Sequence, residues 1–179
     1  HRGPPPKALQ HYALGVLAWQ EGDLSEAREH LGIALVFDPH SSWLHLARGR
    51  VAFEQGALED AEAALEAAVK LAPASAEPRL VLARVYVLRG DNDRAVEQLE
   101  ALLAAQRHDQ AFADLAQLHL VRDERQAAIA VLEAWAQRQP DDLAMLRQRA
   151  VLRLELGRAA AAWDDLALLA EAGQARGRD

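Results

Sequence analysis

The chain has 179 residues, with 27 acidic and 20 basic side chains and a formal net charge of −7. A negative charge argues against a general nucleic-acid binder, whose affinity depends on neutralising phosphates. The absence of Cys excludes disulfides, zinc thiolate sites and thiol nucleophiles. Ala, Leu, Arg, Glu and Gln dominate and Thr is absent, so the composition predicts an all-α protein.

The chain opens with "HRGPPPKALQ", which lacks an initiator Met and is rich in Pro. We therefore expect a trimmed or processed form, and residues 1–7 are predicted to form a stiff tether that leads into a helix. A tether from a lipidated N-terminus and an interdomain linker both fit this opening. The compartment is not determined by the sequence, and a periplasmic location is preferred to a cytoplasmic one.

Five similar segments follow along the chain. "WQEGDLSEAREHLGIALVFDP" covers 19–39, "FEQGALEDAEAALEAAVKLAP" covers 53–73, and related segments cover 87–107, 120–140 and 154–174. Two columns of this alignment do not vary: Ala27, Ala61, Ala95, Ala128 and Ala162 form one, and Leu31, Leu65, Leu99, Leu132 and Leu166 form the other. A recurrence about every 34 residues predicts an array of repeated structural units.

Each unit is predicted to be a pair of helices separated by a Gly turn. The first helices are expected at about 8–21, 42–55, 76–89, 109–121 and 143–156, and the second helices at about 24–37, 58–71, 92–105, 124–138 and 159–170. Asp23, Asp91 and Asp123 are expected to cap second helices. Ser41, Ser75 and Asp141 are expected to cap the first helices that follow.

The order of recurring residue types within a unit resembles the tetratricopeptide repeat. The positions that carry the resemblance in the first unit are Gly15, Leu17, Gly22, Ala27, Leu31, Ala34 and Pro39. The resemblance covers residues 8–171 as five consecutive repeats, at about 8–41, 42–75, 76–108, 109–142 and 143–171. It implies a right-handed superhelical solenoid of five helix-turn-helix hairpins, with a flexible tail over 172–179.

Proteins of this family hold peptides or helices of other proteins and do no chemistry themselves. The resemblance therefore implies a non-catalytic protein that binds a partner in a concave groove lined by the first helices. The predicted groove residues are Tyr12, Val16, Trp19, Trp43, Leu46, Arg50, Phe53, Leu80, Arg84 and Val87. The groove is expected to be apolar and edged by Arg50 and Arg84, and aromatic and Arg side chains dominate interface energetics. The alternative is that these rings only pack between helices.

One well-known subset of the family grips the C-terminal carboxylates of heat-shock chaperones with a clamp of Lys, Asn and Arg. The matching positions here are Tyr12, Val16, Ala47, Glu77 and Val81, and none supplies the required donor. Arg48, Arg149 and Arg153 also depart from the family, because they stand where it usually has larger apolar residues. The hairpins around 42–55 and 143–156 are therefore expected to pack loosely or to bind something.

No group of residues predicts catalysis, a cofactor or a metal site. His11 and His45 occupy equivalent places in adjacent hairpins, which puts them too far apart to share a metal. The acidic pairs Glu59–Asp60 and Asp164–Asp165 are expected on a solvated helix face rather than as paired catalytic carboxylates. No phosphate loop, nucleophile elbow or zinc helix motif occurs in the sequence.

The leading hypothesis is an adaptor that binds a helical or extended apolar segment of a protein partner, with no nucleic acid and no direct membrane span. One alternative is a lipid-anchored bacterial envelope assembly factor that helps a secretin or another outer-membrane machine to form. Another is a structural module that self-assembles into homo-oligomers through an uncapped C-terminal hairpin near Trp163, Leu168 and Leu169.

Overall fold

A computed structural model describes residues 3–105 and 108–176, with side chains described as far as residue 172. This part of the chain is all-α, as the composition predicted, and contains no strand. Ten helices follow one another: α1 (Pro6–Glu21), α2 (Leu24–Phe37), α3 (Ser42–Glu54), α4 (Leu58–Leu71), α5 (Ala76–Arg89), α6 (Asn92–Ala105), α7 (Asp109–Val121), α8 (Arg125–Ala136), α9 (Leu143–Glu155) and α10 (Ala159–Arg176).

The helices pack in consecutive pairs, so that each odd-numbered helix forms a hairpin with the helix that follows it. The chain divides into two compact units, and the boundary follows Ala105. Unit 1 contains α1 to α6, and unit 2 contains α7 to α10. Within each unit, the second helix of one hairpin also packs against the first helix of the next.

The turn inside a hairpin depends on one residue with left-handed backbone. Gly22, Gly56, Gly90 and Gly157 all have positive φ, between 71° and 85°. Asp123 takes the same conformation in the fourth hairpin, with a φ of 60°. The expectation that Asp123 caps α8 was therefore wrong, since the residue occupies the turn and Glu124 precedes the helix.

Side-chain capping follows the sequence at some helix starts and departs from it at others. The Asp23 carboxylate accepts a hydrogen bond from the Glu26 amide at 2.9 Å, as predicted. Ser41 and Ser75 precede α3 and α5 without making a side-chain capping bond. At α9 the capping residue is Asp142 rather than Asp141, and it accepts from the amides of Ala144 and Met145.

The invariant columns form the core of the hairpins. The Ala side chain at each of the five repeated positions is completely buried. Four of the five repeated Leu side chains are also buried, and Leu166 is the exception. Small residues are needed where the helices of a hairpin approach closely: a Cβ added at Gly49 would lie 2.6 Å from the Cγ of Leu65.

At one further repeated position, the third hairpin has Tyr86 and the fourth hairpin has His119. Each of these polar side chains contacts a carboxylate. The Tyr86 hydroxyl donates to Glu66 at 2.8 Å, and burial together with this carboxylate raises the pKa of Tyr86. A ring nitrogen of His119 lies 2.7 Å from Glu124, and this bond, with Arg122, lowers the pKa of Glu124. The polar groups of these two buried side chains thus have hydrogen-bonding partners.

In the last hairpin an ion cluster fills the space where apolar residues were expected. The Arg149 guanidinium donates to Asp165 at 3.1 Å, and Arg153 donates to the same carboxylate at 2.9 Å. Asp165 is buried, with 1% of its surface exposed. The two cations that the sequence associated with loose packing are therefore joined by one buried anion.

Helix bounds at the two ends of the chain differ from the expected ones. α1 begins at Pro6, inside the segment predicted as a tether, and Pro is favoured in a first helical turn because its missing N–H would have no partner there. α10 continues to Arg176, beyond the expected end at 170. The last three residues of the predicted tail lie outside the described residues.

Candidate interaction groove

The first helices of unit 1, α1, α3 and α5, carry all ten predicted groove residues. We call their shared surface the first-helix face of unit 1. An open depression of about 250 Å³ lies on this face between α3 and α5. Its lining residues are Arg50, Phe53, Glu54, Glu77, Leu80, Val81 and Arg84. Four of the predicted residues, Arg50, Phe53, Leu80 and Arg84, therefore border one depression.

A network of polar side-chain contacts lies along one side of this depression. The Trp19 indole N–H donates to Glu54 at 2.6 Å, which joins α1 to α3. The Arg50 guanidinium lies over the Trp19 ring, 4.8 Å from its centroid. Arg50 also pairs with Glu77 of α5 at 2.8 Å. Three neighbouring hairpins thus contribute side chains to one ordered network.

Tyr12 and Trp43 lie at a different place on the same helices. Their rings meet edge to face, with centroids 4.6 Å apart. Both rings pack against the buried cluster formed by Ala8, Ala34, Leu35 and Leu44. The four aromatic residues of the predicted groove therefore divide into two pairs, because Tyr12 and Trp43 pack together while Trp19 and Phe53 lie near the charged network.

The remaining predicted residues differ in exposure. Val16, Leu46 and Leu80 are half-buried, whereas Arg84 and Val87 are exposed. Val87 follows Arg84 by three residues on α5, which places both on the same side of this helix. The first-helix face of unit 1 therefore presents both apolar and charged side chains.

The charge of the depression is mixed. The sequence indicated an edge formed by Arg50 and Arg84, but the structure pairs Arg50 with Glu77 and brings Glu54 to the same edge. The sequence did not predict the ion pair of Arg50 with Glu77, because it depends on contacts between hairpins. The only signal in the sequence is that residues 27 positions apart, such as Arg50 and Glu77, lie on adjacent first helices.

A second depression, on unit 2, lies outside the predicted groove residues. It has a volume of about 660 Å³. Its lining residues are Leu120, Arg125, Ala144, Arg147, Gln148, Val151, Leu152 and Glu155. This lining contains no aromatic side chain, which distinguishes it from the first-helix face of unit 1.

The histidines and carboxylates do not form a metal centre within the described ranges, where no three such groups come together. His11 and His45 each have a polar neighbour of their own. His11 lies beside His30, with the Nδ1 atoms 3.2 Å apart, and His45 contacts the Pro39 carbonyl at 3.0 Å. Across residues 3–105 and 108–176, none of the helices is both long and apolar enough to cross a membrane.

Solved structures with the same fold support this description. A MamA protein superposes with a TM-score of 0.80 over 96% of this chain and 94% of that chain, at 18% identity. YrrB, described as having an unusual peptide-binding site, gives 0.69 over 92% and 85% at 15% identity. The first repeat domain of Spaghetti (RPAP3), bound to an HSP90 peptide, gives 0.61 over 65% and 96% at 19% identity. These identities establish the fold alone.

The sequence comparisons identify the family. A search of curated proteins gives no match. Two family models, each described as tetratricopeptide repeat, match residues 12–76 and 52–118. Together they span more than half of the sequence, and the five helical hairpins extend the same pattern through the described residues. The chain belongs to the tetratricopeptide repeat family.

Proposed function

We propose that this chain is a non-catalytic adaptor that binds an apolar segment of a protein partner on the first-helix face of unit 1. The observation that carries the proposal is the depression between α3 and α5, where Phe53, Leu80 and Val81 lie beside fixed charges of both signs. The family supports a role in protein–protein interaction in general. The peptide bound to RPAP3 and the peptide-binding site of YrrB support a peptide-like ligand.

Binding energy would come mainly from apolar burial. Phe53, Leu80 and Val87 offer apolar surface on two adjacent helices. Removing such surface from water contributes about 25 cal/mol per Å² before the entropic cost of association is subtracted. A segment with two or three apolar side chains on one side therefore fits this face, in either a helical or an extended conformation.

The charged network would orient the bound segment of the partner. Arg50 is held by both the Trp19 ring and Glu77, so its side chain has already lost part of its conformational freedom. A preorganised donor costs less entropy when a partner carboxylate or carbonyl reaches it. Glu54 and Glu77 line the same depression as Arg50, and their carboxylates can accept hydrogen bonds from a Lys, an Arg or a backbone amide of the partner.

The experiment is a selection of peptides from a displayed library on the immobilised chain, followed by calorimetric titration of the selected peptides. The groove variants are Phe53→Ala and Arg50→Ala, and the matched control is Val121→Ala, an exposed position on α7 of unit 2. We expect Phe53→Ala to weaken binding about tenfold or more, which corresponds to about 1.4 kcal/mol.

The control variant should bind within about twofold of the unsubstituted chain, since Val121 lies on another unit. Circular dichroism establishes that each variant is folded before its affinity is compared. Equal affinities for the unsubstituted chain and both groove variants would show that the partner surface lies elsewhere. Failure to enrich any peptide would also count against the proposal.

A further inference from the structure

The last hairpin exposes two side chains, Trp163 and Leu166, whose equivalents in the preceding hairpin are buried. Leu166 is 38% exposed, whereas Leu31, Leu65, Leu99 and Leu132 are buried. Trp163 is 72% exposed, while Ile129, its equivalent in the preceding hairpin, is buried. Val151 and Leu154 on α9 are exposed as well. We call Val151, Leu154, Trp163 and Leu166 the end face.

The first helix, α1, also exposes apolar side chains at positions that are buried in later first helices. Leu17 of α1 is 50% exposed, whereas its equivalents Val51, Val85, Leu118 and Leu152 are buried. Leu14 is also exposed, while Leu82 and Leu115 at the same place in later hairpins are buried. The side of α1 that carries Leu14 and Leu17 therefore corresponds to the side by which later first helices join the preceding hairpin.

Contacts inside unit 1 show how these two surfaces fit. Val51 of α3 packs in one cluster with Ala27 and Leu31 of α2. By the same geometry, Leu17 of an incoming α1 would meet Ala162 and Leu166 of α10. Arg50 on α3 pairs with Glu77 on α5, and the equivalent positions are Val151 on α9 and Leu9 on α1, both exposed and apolar.

The charges at the edge of this contact are complementary. In unit 1, Gln55 at the end of α3 donates to the Leu24 carbonyl in the first turn of α2, at 2.8 Å. The residue equivalent to Gln55 on α1 is Glu21, and Arg158 lies directly before the first turn of α10. A carboxylate therefore comes to the N-terminal end of a helix beside a guanidinium, which favours the contact.

From these matches we infer that the end face binds α1 of a second copy of this chain. The contact joins two different surfaces, so each added copy leaves one free α1 and one free end face. Such heterologous association continues into longer species unless it closes into a ring. It uses surfaces other than the depression between α3 and α5 and goes beyond the proposed adaptor function.

Sedimentation velocity tests the inference over a concentration series up to about 100 µM, a range that detects weak association. Two variants each place a charge in one of the surfaces: Leu17→Glu on α1 and Trp163→Glu on the end face. Both side chains are at least half exposed, so the isolated chain is expected to fold. The control is Val36→Glu, a change at an exposed position of α2.

We expect the unsubstituted chain and the Val36→Glu control to sediment faster as concentration rises. Each of the other two variants alone should remain monomeric. An equimolar mixture of Leu17→Glu and Trp163→Glu should form a dimer and nothing larger, because only one intact α1 surface and one intact end face remain in each pair. This complementation separates a head-to-tail contact from a contact between two identical faces.

A second pair of variants tests the charges without changing the apolar surfaces. Glu21→Arg and Arg158→Glu should each shift association to roughly threefold higher concentration or more, and mixing them should restore it. The inference is overturned if the unsubstituted chain stays monomeric throughout the series. It is also overturned if Leu17→Glu associates as the unsubstituted chain does, or if the mixtures behave like their separate components.

Discussion

Tyr12 and Trp43 form an edge-to-face pair that joins the first hairpin to the second, with ring centroids 4.6 Å apart. The pair packs on the buried cluster around Leu35 and Leu44. It belongs to the predicted groove by sequence position, yet its contacts are those of packing between helices. Trp43 therefore serves stability, whatever it contributes to a partner.

The first prediction is that Trp43→Ala lowers the free energy of unfolding by about 2–3 kcal/mol, somewhat less than for a fully buried Trp. Urea denaturation followed by circular dichroism measures the change. Trp163→Ala is the matched control, since the Trp163 ring is exposed and its loss should change stability by no more than about 0.5 kcal/mol. Equal effects of the two substitutions would contradict the assignment.

The second prediction concerns the close approach at Gly49. A methyl group at this position would lie 2.6 Å and 2.9 Å from atoms of Leu65, whereas a methyl group at Gly15 would lie 3.1 Å from Leu31. Overpacking costs about 1–3 kcal/mol, and replacing Gly by Ala inside a helix returns about 1 kcal/mol. Gly49→Ala should therefore destabilise the chain, while Gly15→Ala should be nearly neutral. Chemical denaturation measures the free energy of unfolding of both variants and shows which substitution is more destabilising.

The third prediction concerns the buried carboxylate of Asp165. Asp165→Ala would leave the Arg149 and Arg153 guanidinium groups without the anion that they share, which typically costs about 3–5 kcal/mol. Asp164→Ala removes an exposed neighbouring carboxylate and should have little effect. The free energy of unfolding in urea is again the measurement. A loss below about 1 kcal/mol for Asp165→Ala would show that the cluster is dispensable.

The fourth prediction concerns the left-handed turn at Asp123, whose φ is 60°. Gly adopts this conformation without steric cost, so Asp123→Gly should raise the free energy of unfolding by about 0.5–1 kcal/mol. Asp123→Ala should lower it, because Ala keeps the strain and loses the local polar contacts. The midpoint of thermal unfolding ranks the three chains. Stabilisation by Ala would contradict the account.

Most of the fold could be predicted because every hairpin repeats the same constraints. The period, the Gly turns and the invariant Ala and Leu columns placed the starts of all ten described helices within about two residues, and the same holds for every end except that of α10, which continues to Arg176. The exact caps could not be placed in the same way. Asp123 and Glu124 are neighbours in the sequence, yet Asp123 lies in the left-handed turn while Glu124 directly precedes α8. The repeat period alone does not distinguish these two roles.

Less of the candidate site than of the fold could be predicted from the sequence. Groove positions follow from the repeat, but the partners of their side chains depend on rotamers and on contacts between hairpins. The sequence could list Arg50 and Glu77 without showing that they pair. It could also mark Arg149 and Arg153 as unusual, yet the buried position of Asp165 between them requires the three-dimensional structure.

The four tryptophans offer a direct test of the proposed groove, because each reports on a different place. Trp19 borders the charged network, Trp43 packs with Tyr12, Trp135 is buried in unit 2, and Trp163 lies on the end face. The measurement is the indole N–H spectrum of the ¹⁵N-labelled chain, titrated with a selected peptide. The account predicts that the Trp19 signal shifts in proportion to saturation while the Trp135 signal stays in place. A saturated complex in which Trp19 does not move, and the signals of unit 2 do, would contradict it.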